Sequence, residues 1–207
     1  MANRVVQKTA EVSGMDYRNY LEMTSTEIKI VDTEIMTLTE KEAFETKKLN
    51  MHRMSRIDKS YIPSAEIVEE ISKIEDKQVW VVITENWCGD SAQNLPYIAK
   101  IASLNKSIKF RIVLRDSNPE IMDMYLTNGT RSIPKLVVFD EEGNEIFQWG
   151  SRPKAAQQLI NDLKGRGIEK KAFIEKLHLW YAKNGGKDIE AEILDLIKNS
   201  NLIKNSV

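Results

Sequence analysis

The run Gln78-Val-Trp-Val-Val-Ile-Thr-Glu85 is almost unbroken β-branched and aromatic sequence, and no other stretch limits the fold so tightly. A strand with apolar side chains on both sides of its pleat must be covered on both faces, so it belongs at the centre of a layered sheet. A segment of helical character follows from Asp90 to Leu104, and Ile108, Phe110, Ile112 and Leu114 then recur at every second position. Strand, helix and strand in that order predict a βαβ unit with parallel strands.

The flanks divide by composition. The first sixty or so residues are charged, with a short helical candidate at Asp16 to Met23 and a longer one from Glu40 to about Ile57. Thr39 followed by Glu42 reads as a capping box for the longer helix, whose apolar face is Ala43, Phe44, Met51, Met54 and Ile57. After Pro63, Ser64 opens a helix carrying Ile67, Val68, Ile71 and Ile74. Beyond the βαβ unit, Ser117 with Pro119 and Glu120 starts another helix, which Asn128-Gly129 ends. Lys135 to Asp140 and Glu145 to Trp149, joined through Gly143, read as a hairpin. Helices are expected at Lys154 to Lys164, Glu169 to Lys183 and Asp188 to Lys198. The resulting organisation is a helical extension over 1–62, an α/β domain over 63–165, and C-terminal helices over 166–207 packed on it.

Thirty basic residues face thirty-one acidic ones, a near-balance that gives no long-range field for a nucleic-acid partner. No segment approaches the roughly 20 apolar residues needed to span a bilayer, and Met1 to Gly14 lacks a signal-like apolar run. The expected location is the cytoplasm, with no membrane partner. The chain has a single cysteine, so no intramolecular disulfide can form. With two histidines, His52 and His178, and no His-x-x-x-His spacing, no metal site is expected.

That cysteine stands in Trp87-Cys88-Gly89-Asp90-Ser91, where the central strand feeds into the helix. Unpaired amides and the helix dipole favour an anion at a helix N-terminus, and the thiolate is the reactive form. The Cys88 pKa is therefore expected to fall to about 6.5 to 8, with Ser91 as hydroxyl donor and Asp90 opposing the shift.

The segment resembles the thioredoxin active site, Trp-Cys-Gly-x-Cys, with Ser91 in place of the second cysteine. Pro96 has the spacing of the thioredoxin helix-kinking proline. Arg131-Ser132-Ile133-Pro134 before Lys135-Leu136-Val137-Val138-Phe139 is similar to the loop whose Ile-Pro bond is cis, and Asp116 to Pro119 and Gly150 also match by position. The matches run from Ser64 to Lys164, and the sequence is similar to bacterial thioredoxin-family proteins with a Trp-Cys-Gly-Asp segment and a helical N-terminal extension. The resemblance implies a thioredoxin-like α/β fold, a central mixed sheet of about four strands flanked by helices, with helical extensions at both ends. It also implies that Pro134 lies against Cys88, that Ile133 offers backbone hydrogen bonds to a substrate, and that Trp87, Gly89, Asp90 and Gly150 border the groove. Val82 and Ile112 stand where thioredoxins carry a buried acid and its lysine partner.

Two functions follow from that constellation. One is monothiol thiol-disulfide exchange, with Cys88 as nucleophile, a protein or small-molecule thiol or disulfide as partner, and no cofactor beyond a low-molecular-weight thiol as co-substrate. The other is a non-catalytic adaptor. A bridged iron-sulfur cluster is disfavoured, because monothiol glutaredoxins lack the preceding tryptophan. Lys48, His52 and Arg56, flanked by Lys47, Arg53 and Lys59, form a basic stripe that is either a solvated face or a docking surface for an anionic thiol. Trp180-Tyr181 and the methionines at 15, 23, 36, 51 and 54 read as packing residues.

Overall fold

The computed structural model describes residues 2–30 and 35–204. They divide into two compact units, 1–151 and 152–207. In the first unit four helices precede the sheet: α1 (Ala2–Ser13), α2 (Tyr17–Lys29), α3 (Leu38–Ser60) and α4 (Ala65–Ser72). Strand β1 (Gln78–Thr84), helix α5 (Gly89–Ala102), strand β2 (Ile108–Leu114), the short helix α6 (Pro119–Asp123), and strands β3 (Lys135–Asp140) and β4 (Glu145–Gly150) complete it.

The sheet order is β2-β1-β3-β4, with β1 parallel to β2 and antiparallel to β3, and β3 antiparallel to β4. Every residue of β1 is buried, as a strand apolar on both sides requires. Val79, Val81 and Ile83 join a core cluster with Val113, Val137 and Phe139 of the sheet, Ile121 and Met122 of α6, and Val6 and Ala10 of α1. Trp80, on the other side of the pleat, meets Phe147 edge to face at 5.8 Å. Helix α5, which adds nothing to that cluster, packs on β1 and β2 and against α3 and α4.

Three local expectations change. Helix α1 was not anticipated, because only Val6 and Ala10 of its turns enter the core and an alanine carries little signal. Its Gln7 Nε2 donates to the Asp140 carbonyl at 2.8 Å. The capping box of α3 is Thr37 with Glu40, one pair earlier than Thr39 with Glu42, since both threonines have a glutamate three residues on. Helix α6 ends at Asp123 and its N-cap position is Asn118, not Ser117, with the Asn118 amide turned back to the Leu114 carbonyl at 2.8 Å. Asn128 and Gly129, both at positive φ, turn the chain between Thr127 and Thr130 instead of ending that helix.

Strand β2 lies at a sheet edge, where exposed N–H and C=O groups invite pairing with another chain. Met15, in the link between α1 and α2, covers part of this edge by exchanging two backbone hydrogen bonds with Ile112, at 2.9 and 2.7 Å.

The second unit holds α7 (Lys154–Gly165), α8 (Lys170–Asn184) and α9 (Lys187–Lys204). Ala156 and Ile160 of α7 pack with Leu177 and Tyr181 of α8, joined by Phe173 and Trp180. Gly185, at φ 61°, supplies the left-handed residue that ends α8.

The α1 contact predicts a sharp contrast between two valines. Val6 is 1% exposed and Val12 89%. Val6→Asp is expected to cost about 3 kcal/mol in urea unfolding and Val12→Asp less than about 0.5 kcal/mol; equal effects would contradict the docking of α1.

Candidate functional site

Strand β1 ends at Thr84, and only Glu85, Asn86 and Trp87 separate it from Cys88, the N-cap residue of α5. The Cys88 amide donates to the Glu85 carbonyl at 3.2 Å and the Cys88 carbonyl accepts from Ala92 at 3.1 Å, which fixes the backbone of this turn. The side chain makes no capping bond to the helix. Instead the Cys88 thiol donates to the Ile133 carbonyl, with sulfur and oxygen 3.5 Å apart. The following Ile133–Pro134 peptide bond is cis. Cys88 is thus held against the Ile133 carbonyl, at the residue before Pro134.

Gly150 belongs to the same neighbourhood. It pairs with Lys135 across β3 and β4 and has φ 133°, and a Cβ there would collide with the Pro134 carbonyl. Only glycine satisfies both demands.

The thiol is partly buried, and its ionisation runs opposite to the expectation from helix position alone. Burial pushes the Cys88 pKa up, and the Asp90 carboxylate adds to the rise. The Ser91 hydroxyl and the amides of Asp90 and Ser91 act the other way and do not overcome it. The expected depression is therefore corrected to an elevation, because the loss of water around the sulfur, reinforced by Asp90, outweighs the hydroxyl and amide donors at the start of α5. Ser91 is fully buried, and its hydroxyl has no partner while Cys88 keeps its proton; a Cys88 thiolate would receive it.

Trp87 is 37% exposed and is held from two sides. Its Nε1 donates to Asp116 at 3.3 Å, and the Arg115 guanidinium lies 4.6 Å from its ring centre. Arg115 also pairs with Asp116 at 2.7 Å and donates to the Arg131 carbonyl at 3.2 Å, tying the tryptophan to the segment that carries Ile133. Arg131 in turn forms a two-pronged pair with Asp123, both bonds 2.7 Å. The Asp116 amide donates to the Glu85 carboxylate at 2.8 Å, and burial raises the Glu85 pKa.

Sequence reading missed how the N-terminal helices hold this turn. Asn50 of α3, fully buried, donates to the Asn86 carbonyl at 3.0 Å and accepts from Arg53 at 2.8 Å. Asn86 donates to Glu27 of α2 at 2.9 Å, and Lys47 reaches the same carboxylate oxygen at 2.9 Å. Burial opposes ionisation of Glu27, but these two bonds hold its pKa below the usual range. Tyr20 of α2 is buried within electrostatic range of Cys88 and Glu85, and burial raises its pKa. A signal was present, since Asn50 shares a helical stripe with Met54 and Ile57 and a buried asparagine needs partners. Lys47 and Arg53 thus serve the turn, whereas His52 and Arg56 are exposed and Lys48 pairs with Glu45 on its own helix.

Among the described residues no group of three or more His, Cys, Asp or Glu side chains is placed to hold a metal ion, and no helix is long and apolar enough to cross a membrane. A thioredoxin family profile matches residues 36–164. A protein of unknown function from Pseudomonas aeruginosa is similar in structure, with 20% identity over 91% of this chain and 94% of that one and a TM-score of 0.57. An HIV epitope-scaffold is similar at 20% identity over 90% and 94%, with a TM-score of 0.55. These likenesses concern the fold. No curated protein matches the chain significantly.

Two outcomes follow from the forces on the sulfur. The pH midpoint of Cys88 alkylation by iodoacetamide is expected to rise further in Ser91→Ala and to fall in Asp90→Asn. Midpoints unmoved by both would contradict the balance described. Asn50→Ala is expected to lower stability by about 1 to 3 kcal/mol in urea unfolding, because it strips a buried carbonyl and a guanidinium of their partner.

Proposed function

The chain belongs to the thioredoxin family, and from that premise we propose that it carries out monothiol thiol-disulfide exchange through Cys88. The observation that carries this reading is the sulfur 3.5 Å from the Ile133 carbonyl, beside Pro134. In the proposed cycle Cys88 loses its proton to solvent and the thiolate attacks one sulfur of a substrate disulfide. A Cys88–substrate disulfide forms and the other sulfur leaves as a thiolate. With no second cysteine in the chain, an outside thiol attacks the mixed disulfide and releases Cys88. The thiol donor is a low-molecular-weight thiol or a second protein.

The raised pKa gives this cycle a built-in dependence on the substrate. At rest the thiol keeps its proton and donates a hydrogen bond to the Ile133 carbonyl. A peptide strand laid along Ile133 would donate its own amide to that carbonyl, leaving the thiol to ionise toward Ser91 and the amides of α5. Trp87, Gly89, Asp90, Pro134 and Gly150 would line the groove. Arg115 would act as a positioning residue by fixing Trp87 and the Arg131 carbonyl.

The raised pKa also favours a second reading, a thioredoxin-fold adaptor that binds its partner without chemistry. Incubation with glutathione disulfide separates the two. Exchange predicts one glutathione adduct per chain by intact mass, absent in Cys88→Ser and removed by reduced glutathione. No adduct at any pH up to the alkaline limit of stability would leave the adaptor. In dithiothreitol-driven insulin reduction the wild type is expected to be nearly inert, and Ser91→Cys to gain activity by supplying the missing resolving thiol.

A further inference from the structure

The far end of α5 borders a cavity that the thiol chemistry does not use. It has a volume of about 490 Å³ and lies between the start of α2, the end of α3, the last turn of α5 and β2. At 1.5 Å per residue, α5 puts it about 20 Å from Cys88. The volume is that of a small-molecule site.

Its lining has two parts. Ala99, Ala102 and Ile108 are buried and supply an apolar floor, and the rings of Tyr17 and Phe110 stand beside it. Around them are three cations, Arg18, Lys100 and Lys106, and two acids, Asp16 and Asp58. The acids are already engaged. Asp16 caps α2 by accepting from the Asn19 amide at 2.8 Å, and Asp58 accepts the Tyr17 hydroxyl at 3.0 and 3.1 Å. Burial raises the Asp58 pKa, with Tyr17 and Lys100 opposing. The lysine side chains are not engaged in that way: among the described residues the Lys106 ammonium has no hydrogen bond or ion pair, and the Lys100 ammonium has only the longer-range attraction of Asp58. Nor are they needed as helix caps, since carbonyls ending α5 accept the amides of Ser103, Leu104 and Asn105. Arg18 spends its charge weakly, on an exposed pair with Glu22 at 3.4 Å.

We propose that this cavity binds a small amphipathic organic anion, its apolar or aromatic body on the Ala102 and Ile108 floor between Tyr17 and Phe110 and its carboxylate or sulfonate head on Lys100 and Lys106. An apolar floor alone would accept a neutral compound equally well. The Lys100 and Lys106 side chains, both part of the lining and without an ion pair among the described residues, supply the preference for a negative head through charge-assisted hydrogen bonds.

The probe is anilinonaphthalenesulfonate, with its uncharged relative N-phenylnaphthylamine for comparison, titrated by fluorescence against the full chain. Saturable binding at one site is expected, with the sulfonate tighter than the neutral probe. Lys100→Glu/Lys106→Glu should weaken the sulfonate about tenfold or more and leave the neutral probe nearly unchanged. Lys170→Glu/Lys171→Glu, which makes the same change in net charge on exposed positions of α8, should leave both unchanged. Unaltered thermal unfolding and Cys88 alkylation in the variants would show that the fold and the thiol site are intact, so the outcome is independent of the redox reading. Absent or unsaturable sulfonate binding, equal affinity for both probes, or equal weakening by both double variants would overturn the proposal.

Discussion

Everything near the sulfur depends on a strand buried from end to end that turns into a helix across only four residues. Because β1 has no exposed face, its position cannot slide without moving apolar side chains into water, and the turn after it inherits that rigidity. Cys88 is then the N-cap of α5 by geometry rather than by hydrogen bonding, since its side chain makes no cap and reaches across to Ile133. The same placement opposes two effects. Backbone amides favour a negative sulfur, the packed surroundings and Asp90 disfavour it, and the second pair prevails.

The N-terminal helices are structural partners of that turn. Helix α1 contributes Val6 and Ala10 to the core cluster under β1, against which Cys88 packs. From α2 and α3, Glu27, Lys47 and Asn50 converge on Asn86, two residues before the cysteine. The turn before Cys88, in a chain with no second cysteine and with valine at position 82, is in this way supplied with polar groups from outside the βαβ unit. Those groups hold the turn; Arg115 and Asp116, from the end of β2, hold the tryptophan beside it.

The sequence was most legible where a single local pattern decides the structure. The strand run, the alternation in Ile108 to Leu114, the Ser64 cap and the Gly143 hairpin each translate directly into β1, β2, α4 and the β3–β4 pair. Legibility failed where the decision is tertiary. Two threonines offered equal caps for α3, and the start of the helix chose between them. Helix α1 sends only Val6 and Ala10 into the core, too short a face to announce itself. The direction of the Cys88 shift was misread because helix position is visible in sequence, whereas the desolvation that outweighs it depends on how the surrounding elements pack.

The central claim is that Cys88 rests as a protonated thiol hydrogen-bonded to the Ile133 carbonyl. A chain with one cysteine makes this directly observable, since its infrared spectrum contains a single S–H stretching band. At neutral pH that band should be present and shifted to lower frequency than in a solvent-exposed cysteine, should vanish in Cys88→Ser, and should fade only at a higher pH than the band of a solvent-exposed cysteine does. Absence of the band at neutral pH would mean that the thiolate already predominates, and would contradict the account.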